Sequence, residues 1–296
     1  MTLMTRTVRL RRVGRPAQGR PAVGVEEFRT DELVVEEPLE IRVDDRPLAV
    51  VMRTPGDDLD LVAGFLVTEG VIDGLDDLAA LAHCAEPQRP NAQNIVLARL
   101  AAGTRLDPAR IDQATRALFS ASSCGLCGKE TIERVFQRVR PLPPPAASPT
   151  TARLARLPER LREAQALFAR TSGSHGAAVF DASERLLVLR EDIGRHNAVD
   201  KCVGALMREA PSGEPPPDRI LVVSGRAGFE IVQKAVMARY STLVSVGAAS
   251  SLAHELAREA GLRLLTFARD GVANDHDSSV AFVHPILSGR VSPQVD

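Results

Sequence analysis

The strongest chemical signal in the sequence is a close pair of cysteines, Cys124 and Cys127, in the segment Ser-Ser-Cys-Gly-Leu-Cys-Gly-Lys that spans 122–129. The two glycines of this segment allow sharp backbone turns, so both thiols can be exposed. If residues 129–136 form a helix, the thiols lie at its positive N-terminus, next to the cation of Lys129. Both effects favour the thiolate, which is the nucleophilic form of cysteine.

Three kinds of chemistry fit such a pair. A structural zinc site needs four ligands, but the other two cysteines, Cys84 and Cys202, are isolated in the sequence. A thioredoxin-like redox pair is expected directly after a first strand, whereas this pair lies in mid-chain before a proline-rich stretch. A thiol that carries a persulfide in a sulfur relay fits an exposed, glycine-flanked loop best, and a pair of unreactive loop cysteines is the remaining alternative. Few cysteines in a long chain also favour a reducing, cytoplasmic location.

A second candidate site is the segment Glu-Asp-Ile-Gly-Arg-His-Asn-Ala at 191–198, between a predicted strand and a predicted helix. Ligands of open α/β sheets bind at such strand ends. Arg195 offers a planar fork suited to phosphate, and His196 could bind an anion or move a proton. The alternative is a capped helix start, with Asp192 and Asn197 as capping residues.

Two further segments end predicted strands of the same region. Ser224, Gly225 and Arg226 begin a short glycine-rich turn that could cradle a phosphate on backbone N–H groups, although a simple tight turn is the alternative. The last predicted strand ends in Phe-Ala-Arg-Asp-Gly-Val, which comprises Phe267, Ala268, Arg269, Asp270, Gly271 and Val272. A lone histidine is usually structural, so His175 by itself indicates little. The other isolated residues are expected to be packed or surface residues: Cys84, Cys202, His83 and His254.

The elements around these segments predict an α/β protein with an α+β N-terminal part. Alternation of apolar and polar residues predicts a hairpin whose half-buried face carries Leu39, Ile41 and Val43, repeated by Leu48, Val50 and Met52. The second half reads α, β, β, α, β, α, β, α, β, with a first helix on Leu154, Leu157, Leu161, Ala164 and Phe168. This order predicts a three-layer α/β domain with a mixed sheet.

Composition shifts predict the domain organisation. Residues 1–22 are expected to be a disordered basic tail, and 23–140 an N-terminal α+β domain that ends in the cysteine loop. The proline-rich stretch 141–151 is expected to be a linker to a second domain, 152–287, followed by a tail over 288–296.

Overall composition excludes several partners. The 296 residues are 44% hydrophobic and 25% charged with a net charge of -1, and aromatic residues make up 3%. Neither a polyanion-binding field nor a base-stacking surface is therefore expected, and nucleic acid is not an expected partner. No apolar run has the length of a signal-peptide core or a membrane span, so no membrane partner is expected.

Several distinct motifs are distributed over most of the chain, from about residue 34 to about residue 272. In chain order they are Glu37-Pro38-Leu39, Met52-Arg53-Thr54-Pro55-Gly56, Gly64-Phe65-Leu66, Thr68-Glu69-Gly70, Ser123-Cys124-Gly125-Leu126-Cys127-Gly128, 191–201, Ser224-Gly225-Arg226, Glu230, Val232-Gln233-Lys234-Ala235 and Ser250-Ser251-Leu252-Ala253. In these motifs and their order the chain resembles the formate dehydrogenase accessory protein family, the FdhD family of sulfurtransferases.

The resemblance implies a function. Family members accept persulfide sulfur from a cysteine desulfurase and pass it to the molybdenum bis-molybdopterin guanine dinucleotide cofactor before that cofactor enters formate dehydrogenase. It implies Cys124 as the persulfide residue with Cys127 as its helper, and Phe267–Val272 as the cofactor segment. Arg195, Arg226 and Arg269 would then face phosphates, assisted by His196, and two guanine nucleotides would suit a homodimer.

The resemblance also implies a C-terminal domain similar to the cytidine deaminase fold. Deaminases hold zinc with His-x-Glu and Pro-Cys-x-x-Cys motifs. Here Ala198 stands two positions after His196, and Ser224-Gly225-Arg226 follows the next strand, so neither a zinc site nor deamination is expected. A cofactor-binding chaperone without sulfur transfer is the other alternative.

Overall fold

The computed structural model describes residues 4–14, 25–44, 46–86, 88–89, 91–104, 106, 140–145, 149–210 and 218–276. The cysteine pair at 124 and 127, the possible helix over 129–136, and the tail 288–296 lie outside the described residues.

The N-terminal part contains a two-stranded ribbon and a four-stranded sheet. The ribbon pairs β1 (Thr5–Gly14) with β2 (Val25–Val34) in antiparallel orientation. The sheet has the order β4-β3-β6-β5. Its elements in chain order are β3 (Glu37–Val43), β4 (Arg46–Arg53), the helix α1 (Asp58–Thr68), β5 (Leu78–His83) and β6 (Ile95–Leu100), with 3-10 turns at Leu75–Asp77 and Ala92–Asn94.

The expected disordered tail is wrong for Thr5–Gly14, which forms β1. The guanidinium of Arg9 lies 4.9 Å from the centroid of the Phe28 ring on the opposite strand. Such a cation–π contact stabilises the ribbon, and because it joins residues that are distant in the sequence, it gives no local signal there.

The predicted face of β4 is wrong for Val50 and Met52, whereas Leu48 is buried as predicted. Leu48 is the extra residue of a bulge, because Ile41 pairs with Ala49 whereas Arg42 pairs with Pro47. Beyond the bulge Ala49 and Val51 face the core with β3, so Val50 and Met52 are 58% and 49% exposed. One inserted residue reverses the inward and outward positions of a strand.

The C-terminal part is built on a six-stranded mixed sheet with the order β12-β11-β10-β9-β7-β8. β7 runs antiparallel to β8 and β9, β9–β10–β11 are parallel, and β12 is antiparallel to β11. The strands are β7 (His175–Phe180), β8 (Leu186–Asp192), β9 (Ile220–Val223), β10 (Thr242–Ser245), β11 (Arg263–Arg269) and β12 (Val272–Asp275).

Helices cover both faces of this sheet, which confirms the predicted three layers. One face packs on α5 (Arg195–Glu209), α6 (Phe229–Met237) and α7 (Ser251–Ala260). The other packs on α2 (Thr151–Leu154) and α3 (Leu157–Ala164), and α4 (Ala166–Thr171) follows them. Every residue of β9 and β10 is buried, as strands covered on both faces require.

Two elements differ from the prediction for local reasons. The single helix expected over Leu154–Phe168 is split into α2, α3 and α4, because Pro158 begins a new helix and Gln165 leaves the helical backbone region. The strand β12 was not predicted. The likeness of this part to cytidine deaminases stays a prediction. No helix within the described ranges has the length and apolar character needed to span a membrane.

Candidate functional site

The predicted site segments meet at one edge of the six-stranded sheet. β8, β9, β10 and β11 run in the same direction, so their carboxyl ends share an edge with the first residue of the antiparallel β7. The loops after β8, β9 and β10 lead into the N-termini of α5, α6 and α7 at this edge. Helix N-termini carry partial positive charge and free N–H groups, which favours anions here.

The loops at this edge are joined by backbone hydrogen bonds. Gly247, after β10, donates its N–H to Gly225 O at 3.2 Å, and Phe267 donates its N–H to Gly247 O at 3.2 Å. The Ser245 hydroxyl donates to Gly225 O at 2.7 Å. A Cβ at Gly247 would lie 3.0 Å from both Cα and Cγ of Arg226, so the loops are in close contact. They therefore form one continuous surface.

Gly247 was missed in the sequence analysis. Its signal is a glycine two positions after a fully buried strand, the same position that Gly225 occupies after the preceding strand. Since parallel strands end at the same edge, equivalent glycines after neighbouring strands could have been identified as neighbours.

Arg195 and Arg226 are the positive groups of this edge. Both are exposed, and neither guanidinium is hydrogen-bonded or ion-paired to a residue of the described segments. Arg195 is the first residue of α5, and its Cδ lies 3.8 Å from the position a Cβ would take at Gly225. Two such guanidiniums beside a glycine loop can bind phosphate in a planar, bidentate manner.

The loop that carries Arg195 is anchored by Asp192, which is fully buried. Its carboxylate accepts from Gly194 N–H at 2.8 Å, Asn197 Nδ2 at 2.9 Å and Thr54 N–H at 3.0 Å, and it pairs with Lys201 Nζ at 2.8 Å. Asp192 therefore fixes the loop against the N-terminal part and is not a helix cap, since Gly194 is the N-cap of α5. Such a saturated carboxylate has a structural role.

Glu191, the other acid of this segment, is structural too. Its carboxylate accepts from the backbone N–H groups of Leu167 and Phe168 at 2.7 and 2.8 Å, and from the Ser174 hydroxyl at 2.8 Å. It thereby ties β8 to the start of α4.

His196 is paired with a carboxylate. Its Nε2 lies 2.8 Å from Oε2 of Glu230, in the first turn of α6. The hydrogen bond from His196 holds the pKa of Glu230 below its ordinary value. Glu230 lies 34 positions after His196, so the sequence gives no local signal of this contact.

The segment Phe267–Val272 divides into parts with different surroundings. Ala268 is buried against α2 and α3, whereas Phe267 is 56% exposed at a bulge with a φ of 51°. Arg269 pairs with its neighbour Asp270, Nε to Oδ2 3.1 Å, and Asp270 N–H donates to Glu159 of α3. Gly271 makes the tight turn into Val272 with a φ of 78°.

Of this segment, Phe267 lies with the Gly225 and Gly247 loops. The guanidinium of Arg269 is paired with Asp270. That Arg195, Arg226 and Arg269 face phosphates stays a prediction.

The two cysteines that the structure describes are buried. Cys202 donates its thiol to Ala177 O at 3.2 Å, and burial raises its pKa to about 12. Cys84 is 7% exposed. A thiol without solvent access or thiolate character is a poor nucleophile, so neither is suited to carry sulfur. In the described segments no three His, Cys, Asp or Glu side chains are grouped to hold a metal ion.

Comparisons with known proteins agree on one family. Residues 34–277 match the model of the FdhD/NarQ family. A protein of Streptomyces avermitilis named sulfur carrier protein FdhD is 47% identical over 258 residues, which cover 85% of this chain and 89% of that protein. A protein of the same name from Anaeromyxobacter dehalogenans is 46% identical over 243 residues, 81% of this chain and 84% of that protein.

A solved structure has the same fold. A crystal structure from Desulfotalea psychrophila, assigned as a formate dehydrogenase accessory protein, superimposes with a TM-score of 0.69 at 21% identity. The match covers 92% of this chain and 98% of that one.

Proposed function

The chain belongs to the FdhD/NarQ family, and we propose that it is a sulfur carrier protein that takes persulfide sulfur from a cysteine desulfurase and transfers it to the molybdenum bis-molybdopterin guanine dinucleotide cofactor for formate dehydrogenase. The cofactor is the substrate of this reaction. The observation that carries the proposal is the pair of exposed guanidiniums, Arg195 and Arg226, on the glycine loops of the strand edge.

This edge suits the nucleotide arms of the substrate. Each arm carries a pyrophosphate, and planar guanidiniums beside helix N-termini bind phosphate oxygens through charge-assisted hydrogen bonds. His196 and the segment Phe267–Val272 complete the proposed site, with the Phe267 ring exposed beside the Gly247 loop. Two guanine nucleotides per substrate suit two copies of the chain, and we propose a homodimer on that ground.

The sulfur would be carried by Cys124. Its thiolate attacks the outer sulfur of the desulfurase persulfide, the sulfur–sulfur bond breaks, and the desulfurase leaves as a thiolate. The buried state of Cys84 and Cys202 supports this assignment, because it leaves the pair at 124 and 127 as the thiols suited to exchange.

Delivery of sulfide needs two electrons, which the pair itself supplies. The Cys127 thiolate attacks Sγ of Cys124, the bond to the outer sulfur breaks, and HS⁻ leaves as a disulfide forms between the two cysteines. The sulfide would then replace an oxo ligand of the substrate's molybdenum, and the oxygen would leave as water after it takes up the proton of HS⁻ and one more from solvent. Return to the dithiol requires a cellular thiol reductant, which fits the proposed cytoplasmic location.

Maturation of a client enzyme tests the function. Formate dehydrogenase would be produced in cells without their own sulfur carrier, together with wild-type chain, Cys124→Ala, Cys127→Ala or the control Cys84→Ser. We expect activity with wild type and the control, and none with Cys124→Ala at equal protein level. Full activity with the double variant Cys124→Ala/Cys127→Ala would instead establish a cofactor-binding chaperone that transfers no sulfur.

A further inference from the structure

His175 lies at the strand edge, outside the residues assigned to the proposed site. It is the first residue of β7, which runs antiparallel to its neighbours, so it pairs with Asp192 at the carboxyl end of β8. The adjacent Gly176 exchanges two hydrogen bonds with Ser224: Gly176 N–H donates to Ser224 Oγ at 2.9 Å, and Ser224 N–H to Gly176 O at 3.0 Å. The start of β7 is thereby fixed against the Gly225 loop.

The imidazole of His175 flanks this loop together with Arg195. A Cβ at Gly225 would lie 3.7 Å from His175 Nδ1, 3.9 Å from His175 Cε1 and 3.8 Å from Arg195 Cδ. The missing side chain at Gly225 therefore leaves space between the imidazole of His175 and the side chain of Arg195. A phosphate oxygen in this gap could accept from both side chains.

His175 differs from His196 in its hydrogen bonding. His196 already bonds Glu230, whereas the nearest acid of His175 is Asp192, whose carboxylate is saturated by four other donors. No hydrogen bond joins the His175 ring to a residue in the part of the chain that the structure describes. The ring is therefore available to a ligand.

The charges around His175 keep it neutral. Burial lowers the pKa of His175, the cation of Arg195 and the nearby His196 lower it further, and Asp192 raises it in part. These groups come from α5 and β8, and the Gly225 loop adds the hydroxyl of Ser224. A bound phosphate would add negative charge beside the ring and stabilise the imidazolium.

We propose that His175 is a phosphate-contacting residue of this site, and that it takes up a proton when the phosphates of a nucleotide bind beside Arg195. This role of His175 rests on the proposed function in one respect, namely that the phosphates of the substrate bind at this edge of the sheet. The bound form holds more protons than the free form, so affinity falls as pH rises through the pKa that His175 has in the complex.

The test is calorimetric titration of the full chain with guanosine diphosphate, in phosphate-free buffers of different ionisation enthalpy. Wild type, His175→Gln and the control His83→Gln, an exposed residue of β5, are compared at pH 6.5 and 8.5. We expect proton uptake with wild type and the control, and its loss with His175→Gln. That variant should bind about tenfold more weakly at pH 6.5, with a smaller difference at pH 8.5.

Three results would overturn the proposal: unchanged affinity and uptake in His175→Gln, absence of proton uptake in wild type, or equal uptake with guanosine, which has no phosphate. Inorganic phosphate should also cause uptake. If His175→Gln does not fold, a wild-type NMR titration of the His175 ring decides, since its pKa must rise when guanosine diphosphate is added. Failure of sulfur loading on Cys124 would leave these nucleotide measurements unaffected, so the two proposals fail separately.

Discussion

Gly64 of α1 and Gly204 of α5 bring the backbones of these two helices into direct contact. A Cβ at Gly204 would lie 2.7 Å from Gly64 N and 1.9 Å from Asp60 O, and one at Gly64 would lie 1.9 Å from Asp200 O. The contact joins the N-terminal part to α5, the helix that begins with Arg195. The packing of α1 against α5 therefore helps to position Arg195 at the strand edge.

Gly64→Ala should therefore destabilise the protein. Alanine normally stabilises a helix by about 1 kcal/mol relative to glycine, but here its methyl group overlaps a carbonyl oxygen and forces the helices apart. We expect a loss of about 2–3 kcal/mol in the free energy of unfolding, measured in urea. Gly74→Ala is the control, because a Cβ there meets no atom within 4 Å. Equal stability of the two variants would contradict the close helix contact.

Lys234 is the centre of a buried charge cluster between α1, α5 and α6. Its Nζ bonds Thr68 Oγ1 at 3.0 Å, Glu69 Oε1 at 2.7 Å and Asp200 Oδ2 at 2.9 Å. Lys234→Met leaves two carboxylates without their cation and should cost about 3–5 kcal/mol of stability at pH 7. The double variant Lys234→Met/Asp200→Asn should recover part of this loss.

The loss should also depend on pH. Burial raises the pKa of Asp200 above its ordinary value even with Lys234 present. Without the cation of Lys234, protonation of Asp200 stabilises the folded variant more than it stabilises the unfolded chain. The loss of stability caused by Lys234→Met should therefore become smaller as pH falls from 7 to 5. A destabilisation that grows on acidification would contradict the assignment of the cluster.

His276 and His254 form a second pH-sensitive contact, with their Nδ1 atoms 3.2 Å apart. Burial lowers the pKa of His276, His254 lowers it further, and Asp275 opposes them. On acidification the unfolded chain therefore binds a proton at this histidine more readily than the folded chain. The stability that neutral His276 contributes is fully present above the pKa of the unfolded chain, about 6.5. It is lost as pH falls through the lower pKa that His276 has in the folded protein.

Urea unfolding between pH 5 and 8 measures this effect. The decline in stability on acidification should be shallower in His276→Gln than in wild type and in His83→Gln. The side chain of Thr266, 2.8 Å from His276 Nε2, remains a hydrogen-bond partner for glutamine. Identical slopes in all three proteins would exclude His276 as a source of the pH dependence.

Arg195→Gln and Arg226→Gln should each weaken binding of guanosine diphosphate by about tenfold, because each removes a charge-assisted hydrogen bond. Arg185→Gln is the matched control, since Arg185 is exposed near the turn between β7 and β8, at the opposite edge of the sheet. Calorimetry at two salt concentrations should also show a weaker salt dependence for the two site variants. An equal effect of Arg185→Gln would argue against a localised phosphate site.

Features with a local signal could be predicted from the sequence. The order of helices and strands predicted the three-layer mixed sheet, and the ends of the predicted strands indicated Arg195, His196 and Gly225. Contacts between distant residues could not be predicted in this way. The pair of His196 with Glu230, the position of His175 and the bulge at Leu48 depend on strand register and on how the loops pack.

The most direct test of the sulfur relay is the intact mass of the chain after incubation with an active cysteine desulfurase and cysteine. Wild type and Cys202→Ser should gain one sulfur, about 32 Da, which a reductant removes. Cys124→Ala should gain none, and Cys127→Ala should gain one sulfur as wild type does, because Cys127 attacks the persulfide only when the cofactor substrate is bound, and the incubation contains none. No gain in wild type, or an equal gain in Cys124→Ala, would contradict the assignment of Cys124 as the sulfur carrier.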